Sequence, residues 1–101
     1  MKKAVTVKLD KQRKLKYTFN ALCELEEVMG RSLTTLQNGE FKMKDLRALV
    51  WAGLLHESPE LTLEEAGDLI DRAESIEEIA TAVSQAMEVA FGGKKGDGQG
   101  N

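Results

Sequence analysis

The stretch LRALVWAGLLHESPELTLEEAGDLI, residues 46 to 70, decides the fold, because it combines an apolar helix, a break and the start of another helix. From Met43 onward, apolar residues occupy the whole circumference of a helical projection, which is typical of a helix buried on all sides. Gly53 within this run costs about 1 kcal/mol relative to Ala and therefore indicates close approach of a neighbouring backbone, such as a hairpin. The stretch predicts a central helix.

The end of this helix and the start of the next ones are marked by local signals. Pro59 disfavours helical geometry at the residue before it, so the helix is predicted over 43–57, stopping near His56 or Glu57. TLEE and SIEE then have the spacing of capping boxes, with Thr62 and Ser75 as the caps. Two further helices are predicted, whose apolar stripes are Leu63, Ala66, Leu69, Ile70 and Ala73, and Ile76, Ile79, Ala80, Val83, Met87 and Ala90.

The residues before this region predict a hairpin and another helix. Apolar and polar residues alternate in two short runs joined by a four- or five-residue connection around Lys11 to Arg13. One face of this hairpin is expected to be apolar and the other rich in lysine. The apolar positions are Val5, Val7 and Leu9 in the first run, and Leu15, Tyr17 and Phe19 in the second.

A helix is predicted over Ala21 to Met29, with Asn20 as its N-cap, Glu24 in its first turn and Gly30 as its C-terminal stop. The segment from Ser32 to Gln37 predicts a short helical turn that presents Leu33 and Leu36.

Together these elements predict an α+β fold in which a basic N-terminal β-hairpin packs on a small bundle of about four helices. Residues 1–91 are expected to form a single domain. Residues 92–101, GGKKGDGQGN, have five glycines and no large apolar residue, and they predict a flexible tail. A chain of 101 residues has room for one modest core, which favours a binding module over an enzyme with a deep pocket.

Charge and cysteine content limit the cellular compartment and the classes of partner that we expect. The single Cys23 and the lack of a signal peptide or a long apolar run predict a cytoplasmic protein with no membrane contact. Residues 1–16 carry a net charge of +6 and the remainder −9, so the molecule is expected to be a dipole. The dipole suits head-to-tail self-association, and the acidic remainder argues against nucleic acid as the partner.

The residues that could take part in catalysis or metal binding are better explained by structural roles. His56 and Glu57 do not form the HExxH zinc motif, and His56 is interpreted as a lone helix-end histidine. Cys23 lacks a recognisable histidine partner and is interpreted as a buried thiol. The carboxylates between Glu64 and Glu78 fall mostly on the wet faces of helices. We therefore expect no catalysis, no metal and no cofactor.

The segments LKYTFNALCELEEVMGRSL and LRALVWAGLLHESPELTLEEAGDLID resemble the tail assembly chaperones of long-tailed bacteriophages and related gene transfer agents. The resemblance covers about residues 15–73. It implies a non-catalytic factor that binds the helical tape measure protein during tail morphogenesis, with several copies associating along that partner. It also implies that the protein acts in the cytoplasm of a bacterial host cell or is encoded by a prophage. The alternative is a small phage nucleic-acid-binding regulator that uses the Lys-rich hairpin.

Five apolar residues are the candidates for partner binding. Trp51 is favoured as a core residue but would suit a partner if it were half-exposed. The others lie near the ends of predicted elements or on the last apolar stripe. The candidates are Leu36, Phe41, Trp51, Met87 and Phe91.

The resemblance also implies a longer form of the protein, made by a −1 ribosomal frameshift, which would recruit the tail tube protein. The codons for Gly93 to Gly96 permit a slippery run, and the predicted tail would then act as a linker. A tail that only keeps the protein in solution is the alternative.

Overall fold

The structure, a computed structural model, describes residues 4–30, 32 and 42–91. Among these described residues, a two-stranded hairpin precedes four helices, and the predicted α+β fold is confirmed. Residues 92–101 and most of the predicted helical turn after Ser32 lie outside the described residues. The elements are β1 (Val5–Lys8), β2 (Gln12–Leu15), α1 (Phe19–Met29), α2 (Met43–Leu54), α3 (Leu63–Asp71) and α4 (Ile76–Ala90). Within the described ranges, no helix is long and apolar enough to cross a membrane.

The hairpin has the predicted two faces, but its second strand begins earlier than expected. β1 and β2 pair antiparallel with Val5 opposite Leu15, so the connection is three residues, Leu9 to Lys11. The turn is stabilised locally, because the Asp10 carboxylate accepts hydrogen bonds from the Lys11 backbone and the Arg13 side chain. The outer face has Thr6, Lys8, Gln12 and Lys14, whereas the inner face has Val5, Val7, Arg13 and Leu15.

Helix α1 begins two residues before the prediction. Thr18, not Asn20, is its N-cap, and its hydroxyl accepts a hydrogen bond from the Ala21 N–H at 3.1 Å. Phe19 is therefore the first helical residue rather than part of a strand, and the first turn contains no acidic residue, so the assignment of Glu24 to it was wrong. Gly30 ends the helix as predicted, in the left-handed conformation with φ 73°.

Helix α2 is the centre of the molecule, as the apolar stretch predicted. It packs against α1, α3, β2 and α4. The close approach inferred from Gly53 is also confirmed: a Cβ at Gly53 would lie 2.8 Å from Leu15 Cδ2. The Lys16 N–H donates to the Gly53 carbonyl at 2.9 Å, which joins the hairpin to the helix. The buried residues of α2 are Leu46, Ala48, Leu49, Val50, Ala52, Gly53 and Leu54.

The helix ends at Leu54, two to three residues before the predicted stop, because the chain turns there. The Glu57 and Ser58 N–H groups both donate to the Leu54 carbonyl. The turn places His56 beside the hairpin, where its Nε2 lies 2.8 Å from the Lys14 carbonyl oxygen. A second tie between hairpin and helix comes from Tyr17, whose buried hydroxyl donates to the Leu49 carbonyl.

The caps of α3 and α4 are confirmed. Thr62 and Glu65 form a full capping box, and the Ser75 hydroxyl accepts from the Glu78 N–H at 3.3 Å. Helix α4 lies against β1, β2 and α2. Its predicted apolar stripe is buried at Ile79 and Val83, whereas Ile76, the first member of the stripe, is 48% exposed. A side chain in the first turn of a helix points toward the N-terminal end of that helix. It therefore extends away from the core, which the later turns cover.

Candidate partner-binding surfaces

Among the described residues, the groups considered for catalysis lie on different elements, with Cys23 on α1, His56 after α2 and the carboxylates on or between α3 and α4. Cys23 is exposed on α1, which contradicts its interpretation as a buried thiol. The reason is helical geometry: Ala21, Leu22 and Leu25 face the core, and Cys23 lies on the opposite side. In residues 4–30, 32 and 42–91, no group of three or more His, Cys, Asp or Glu side chains could hold a metal ion.

Two of the five candidate binding residues, Leu36 and Phe41, lie outside the described residues. A third, Trp51, is half-buried and packs against the core. Its indole N–H donates to the Leu61 carbonyl at 2.7 Å, so the side chain ties the loop before α3 to α2. This contact supports the core role that was favoured for Trp51.

The remaining two candidates lie next to each other at the end of α4. Met87 is partly buried against the core, and Phe91, the C-cap residue, is 58% exposed. They are one turn apart, and the Phe91 N–H donates to the Met87 carbonyl at 3.0 Å. We call Met87 and Phe91 the α4-end patch. Its aromatic ring is exposed and available to a partner, and the preceding residue, Ala90, is buried.

The sequence reasoning missed other exposed apolar side chains, most of which are the first residues of helices. Phe19 opens α1 and is 74% exposed, Met43 opens α2 and is 65% exposed, and Ile76 opens α4. Val28, in the last turn of α1, is 42% exposed. For the three first residues of helices, exposure could have been predicted from their position directly after an N-cap residue, because a side chain there extends beyond the end of the helix.

A groove of about 350 Å³ lies between the end of α1, the start of α2 and the first residue of α3. We call it the α1–α2 groove. Among the described residues, its apolar lining is Val28, Met29, Ala48 and Leu63, and its charged lining is Lys42, Lys44, Asp45 and Arg47. The Arg47 stem passes over Gly67 of α3, where a Cβ would lie 3.3 Å from its Cδ. The groove is therefore apolar inside and mainly basic at its edge.

The hairpin provides a separate basic surface. Lys8, Lys11 and Lys14 are exposed there, as the predicted lysine-rich face requires. Arg13 instead forms a bidentate ion pair with Asp10, at 2.7 Å and 2.9 Å. The hydrogen bonds from Arg13 lower the pKa of Asp10 from 3.8 to about 2. Nucleic-acid binding by this surface stays a prediction, which the salt dependence of binding would test.

Comparison with known proteins identifies the family. A family model described as "Phage tail tube protein, GTA-gp10" matches residues 3–93, which is nearly the whole chain. The chain belongs to this family of phage tail tube proteins. It is therefore a protein of phage tails or gene transfer agents, with a role in tail structure or assembly. No curated protein and no solved structure matches this GTA-gp10 family member.

Proposed function

We propose that this GTA-gp10 family member is a tail assembly chaperone that binds a helical segment of the tape measure protein without catalysing a reaction. The observation that carries the proposal is the α4-end patch, an exposed aromatic side chain beside a methionine on a well-packed helix. Family membership supports a role in tails, and the resemblance of residues 15–73 to tail assembly chaperones supports the specific activity.

The α4-end patch suits an amphipathic helix as its partner. Aromatic residues are enriched among the residues that dominate binding energy, and methionine adapts its shape to varied apolar surfaces. A partner helix would offer apolar residues at three- and four-residue spacing, which matches the one-turn separation of Met87 and Phe91. Because α4 is held by the buried Ile79 and Val83, binding would require little rearrangement of the helix.

A second candidate, a structural subunit of the tail tube, is favoured by the family description. A subunit of the tube remains in the finished tail in many copies, whereas an assembly chaperone leaves before completion. Quantitative mass spectrometry of purified tails distinguishes the two roles. The chaperone proposal predicts that this chain is depleted from mature particles, and many copies per tail would instead establish the structural role.

Binding itself is tested by co-expression with the tape measure protein encoded in the same genome, followed by pull-down. Phe91→Asp should reduce recovery of the complex by at least about tenfold, because the carboxylate would have to be desolvated at the interface. Phe19→Asp is the matched control, since Phe19 is also an exposed phenylalanine but lies on a different helix. Absence of co-purification with the unmodified chain would refute the chaperone proposal, and equal losses in both variants would refute the role of the α4-end patch.

A further inference from the structure

We propose that the tape measure segment bound by the α4-end patch is a basic amphipathic helix that lies along the whole length of α4, as far as Ile76. The inference rests on the proposed function, because it specifies the partner of the same site. It adds a second apolar contact at the start of α4 and the sign of the charge that the partner must carry.

Four apolar side chains lie on one side of α4, at the margin of its buried face. At about 100° per residue, their positions fall within about 60° of one another around the helix. The side chains at the two ends are 48% exposed at Ile76 and 58% exposed at Phe91. Those between them, Ala80 and Met87, are partly buried. We call these four residues the α4 side surface, and every residue from Leu63 to Phe91 is described.

The α4 side surface has the length and the profile that a second helix requires. Ile76 and Phe91 are 15 residues apart, which corresponds to about 22 Å along the axis of the helix. Ala80 and the neighbouring Ser84 have small side chains, so another helix can approach α4 closely at its middle. The same helix would then contact the two large side chains at the ends.

A row of polar residues runs beside the α4 side surface, and its charged members are both acidic. Glu77, Thr81, Ser84 and Glu88 follow one another at helical spacing, and each is exposed. Helix α4 contains three glutamates and no lysine or arginine. Among the residues that the structure describes, neither Glu77 nor Glu88 has an ion-pair partner. Their carboxylates are therefore available to cations of a bound helix.

These features define the chemistry of the partner. A helix with apolar residues at three- and four-residue spacing would cover the α4 side surface, and lysine or arginine at the margin of that apolar row would lie beside Glu77 and Glu88. An acidic helix would bring like charges together, and so would α4 of a second copy. Each exposed ion pair changes affinity by no more than about fivefold, so the apolar contacts provide most of the affinity and the charges select the partner.

The probes are overlapping peptides of the tape measure protein encoded in the same genome, each about 25 residues long so that one helix can span the surface. Fluorescence anisotropy measures their binding to the full chain. At least one peptide should bind, and its helical projection should show an apolar row flanked by lysine or arginine. Binding confined to peptides with acidic flanks would contradict the proposal.

The contact at the start of α4 is tested with Ile76→Glu. This variant should bind the peptide at least about tenfold more weakly, because its carboxylate would have to be desolvated in the interface. Val28→Glu is the matched control, since Val28 is a β-branched side chain on α1 that is 42% exposed, compared with 48% for Ile76. Urea unfolding checks that both variants are folded. Unchanged affinity in Ile76→Glu would limit the binding site to the α4-end patch and overturn the inference.

The charge of the partner is tested by reversing Glu77 and Glu88 together to lysine. Affinity should fall about tenfold at about 50 mM salt and should then rise as salt screens the repulsion. The control reverses Glu64 and Asp68 of α3, which are also exposed and also include one carboxylate in the first turn of a helix. The control should behave as the unmodified chain does, with affinity that declines as salt rises. Equal losses in the two double variants would show an effect of net charge alone, against the proposal.

A charge exchange tests whether the two sets of charges meet. A peptide whose flanking lysine and arginine residues are replaced by glutamate should bind the variant with Glu77→Lys and Glu88→Lys more tightly than it binds the unmodified chain. The reverse order of affinities would overturn the proposed contact.

The outcome is separable from that of the proposed function. If neither the whole tape measure protein nor any of its peptides binds the unmodified chain, both proposals fail. If binding is lost in Phe91→Asp but is unchanged by Ile76→Glu and by the charge reversal on α4, only this inference fails. Sedimentation velocity of the chain alone examines the other occupant, because self-association that Ile76→Glu abolishes would assign the surface to a second copy and overturn the inference.

Discussion

The middle of α2 and the ends of α4 use the same kinds of side chain for opposite purposes. Between Leu46 and Leu54, most residues of α2 are covered by the hairpin and the other helices, and Leu49 and Val50 are fully buried. Helix α4 buries its central residues but leaves Ile76 exposed at one end and Phe91 at the other. Apolar residues therefore provide stability where neighbours surround the helix, and they become available to partners where the helix ends.

The largest expected change in stability that tests this contrast comes from truncation of Leu49. Leu49→Ala should lower the free energy of unfolding by about 2 to 5 kcal/mol, because the side chain is fully buried and a cavity would remain. Phe91→Ala removes a larger side chain, yet it should change stability by less than about 0.5 kcal/mol because that side chain is exposed. Urea denaturation followed by circular dichroism measures both. Similar losses in the two variants would mean that the contrast between centre and ends is wrong.

Alanine substitutions at two glycines, one in α2 and one in α3, test the same contrast within the helices. Gly53→Ala should destabilise the fold by about 1 to 3 kcal/mol, since its Cβ would overlap Leu15 in the rigid core. Gly67→Ala should be neutral or stabilising by up to about 1 kcal/mol, because the Arg47 stem can move aside and alanine favours the helix. Thermal unfolding of the pair gives the difference. A stabilising Gly53→Ala change would contradict the close contact between α2 and the hairpin.

The buried Tyr17 should make the centre sensitive to alkaline pH. Burial raises the pKa of its phenol above the ordinary value of 10.0, so the folded state retains the proton that the unfolded chain loses. The stabilising effect is therefore complete below pH 10 and declines by about 1.4 kcal/mol per pH unit above it. Tyr17→Phe should cost about 1 kcal/mol at neutral pH, through the lost bond to Leu49, and should remove this alkaline decline.

Unfolding measured from pH 8 to 11.5 tests this expectation, with the difference between the two proteins isolating Tyr17 from the lysines. Tyr17 is the only tyrosine in the chain, so phenolate absorbance reports its ionisation directly. Ionisation near pH 10 in the folded protein would contradict its burial.

The smallest effect is expected at the hairpin turn. The pKa of Asp10 is lowered from 3.8 to about 2 in the folded state, so its contribution is present above pH 3.8 and lost as pH falls toward 2. The ion pair is at the surface, and Asp10→Asn should therefore cost less than about 1 kcal/mol at pH 7. Nuclear magnetic resonance titration of the carboxyl measures the pKa directly. A value near 3.8 would show that the pair with Arg13 does not persist in solution.

The sequence predicted local features well where a short-range rule controlled them. The Thr62 capping box and the C-terminal stop at Gly30 depend on residues within one helical turn, and both are present. The sequence predicted helix boundaries less well where two local rules competed. Thr18 and Asn20 are both good caps, and the pattern alone did not show that the chain turns at Thr18 and leaves Phe19 in the helix.

The candidate binding residues show the same division. Phe91 was selected because it lies near the end of an element, and its side chain is exposed there. The four-residue spacing on α4 brings Met87 beside it. The exposure of Ile76 and Val28 could not be read from their periodicity, because both continue apolar stripes whose other members are buried or half-buried. Which turns of a helix are covered depends on where its neighbours end.

By itself, the sequence determined the α+β class, the all-round apolar helix at the centre, and the near approach of another segment at Gly53. These follow from side-chain periodicity, capping chemistry and the absence of a Cβ, which act over a few residues. Only the tertiary structure decided that Leu15 and Tyr17 occupy the space at Gly53, that Cys23 is exposed, and that the α1–α2 groove has a basic edge. Those features depend on the relative positions of elements far apart in the chain, which local patterns do not specify.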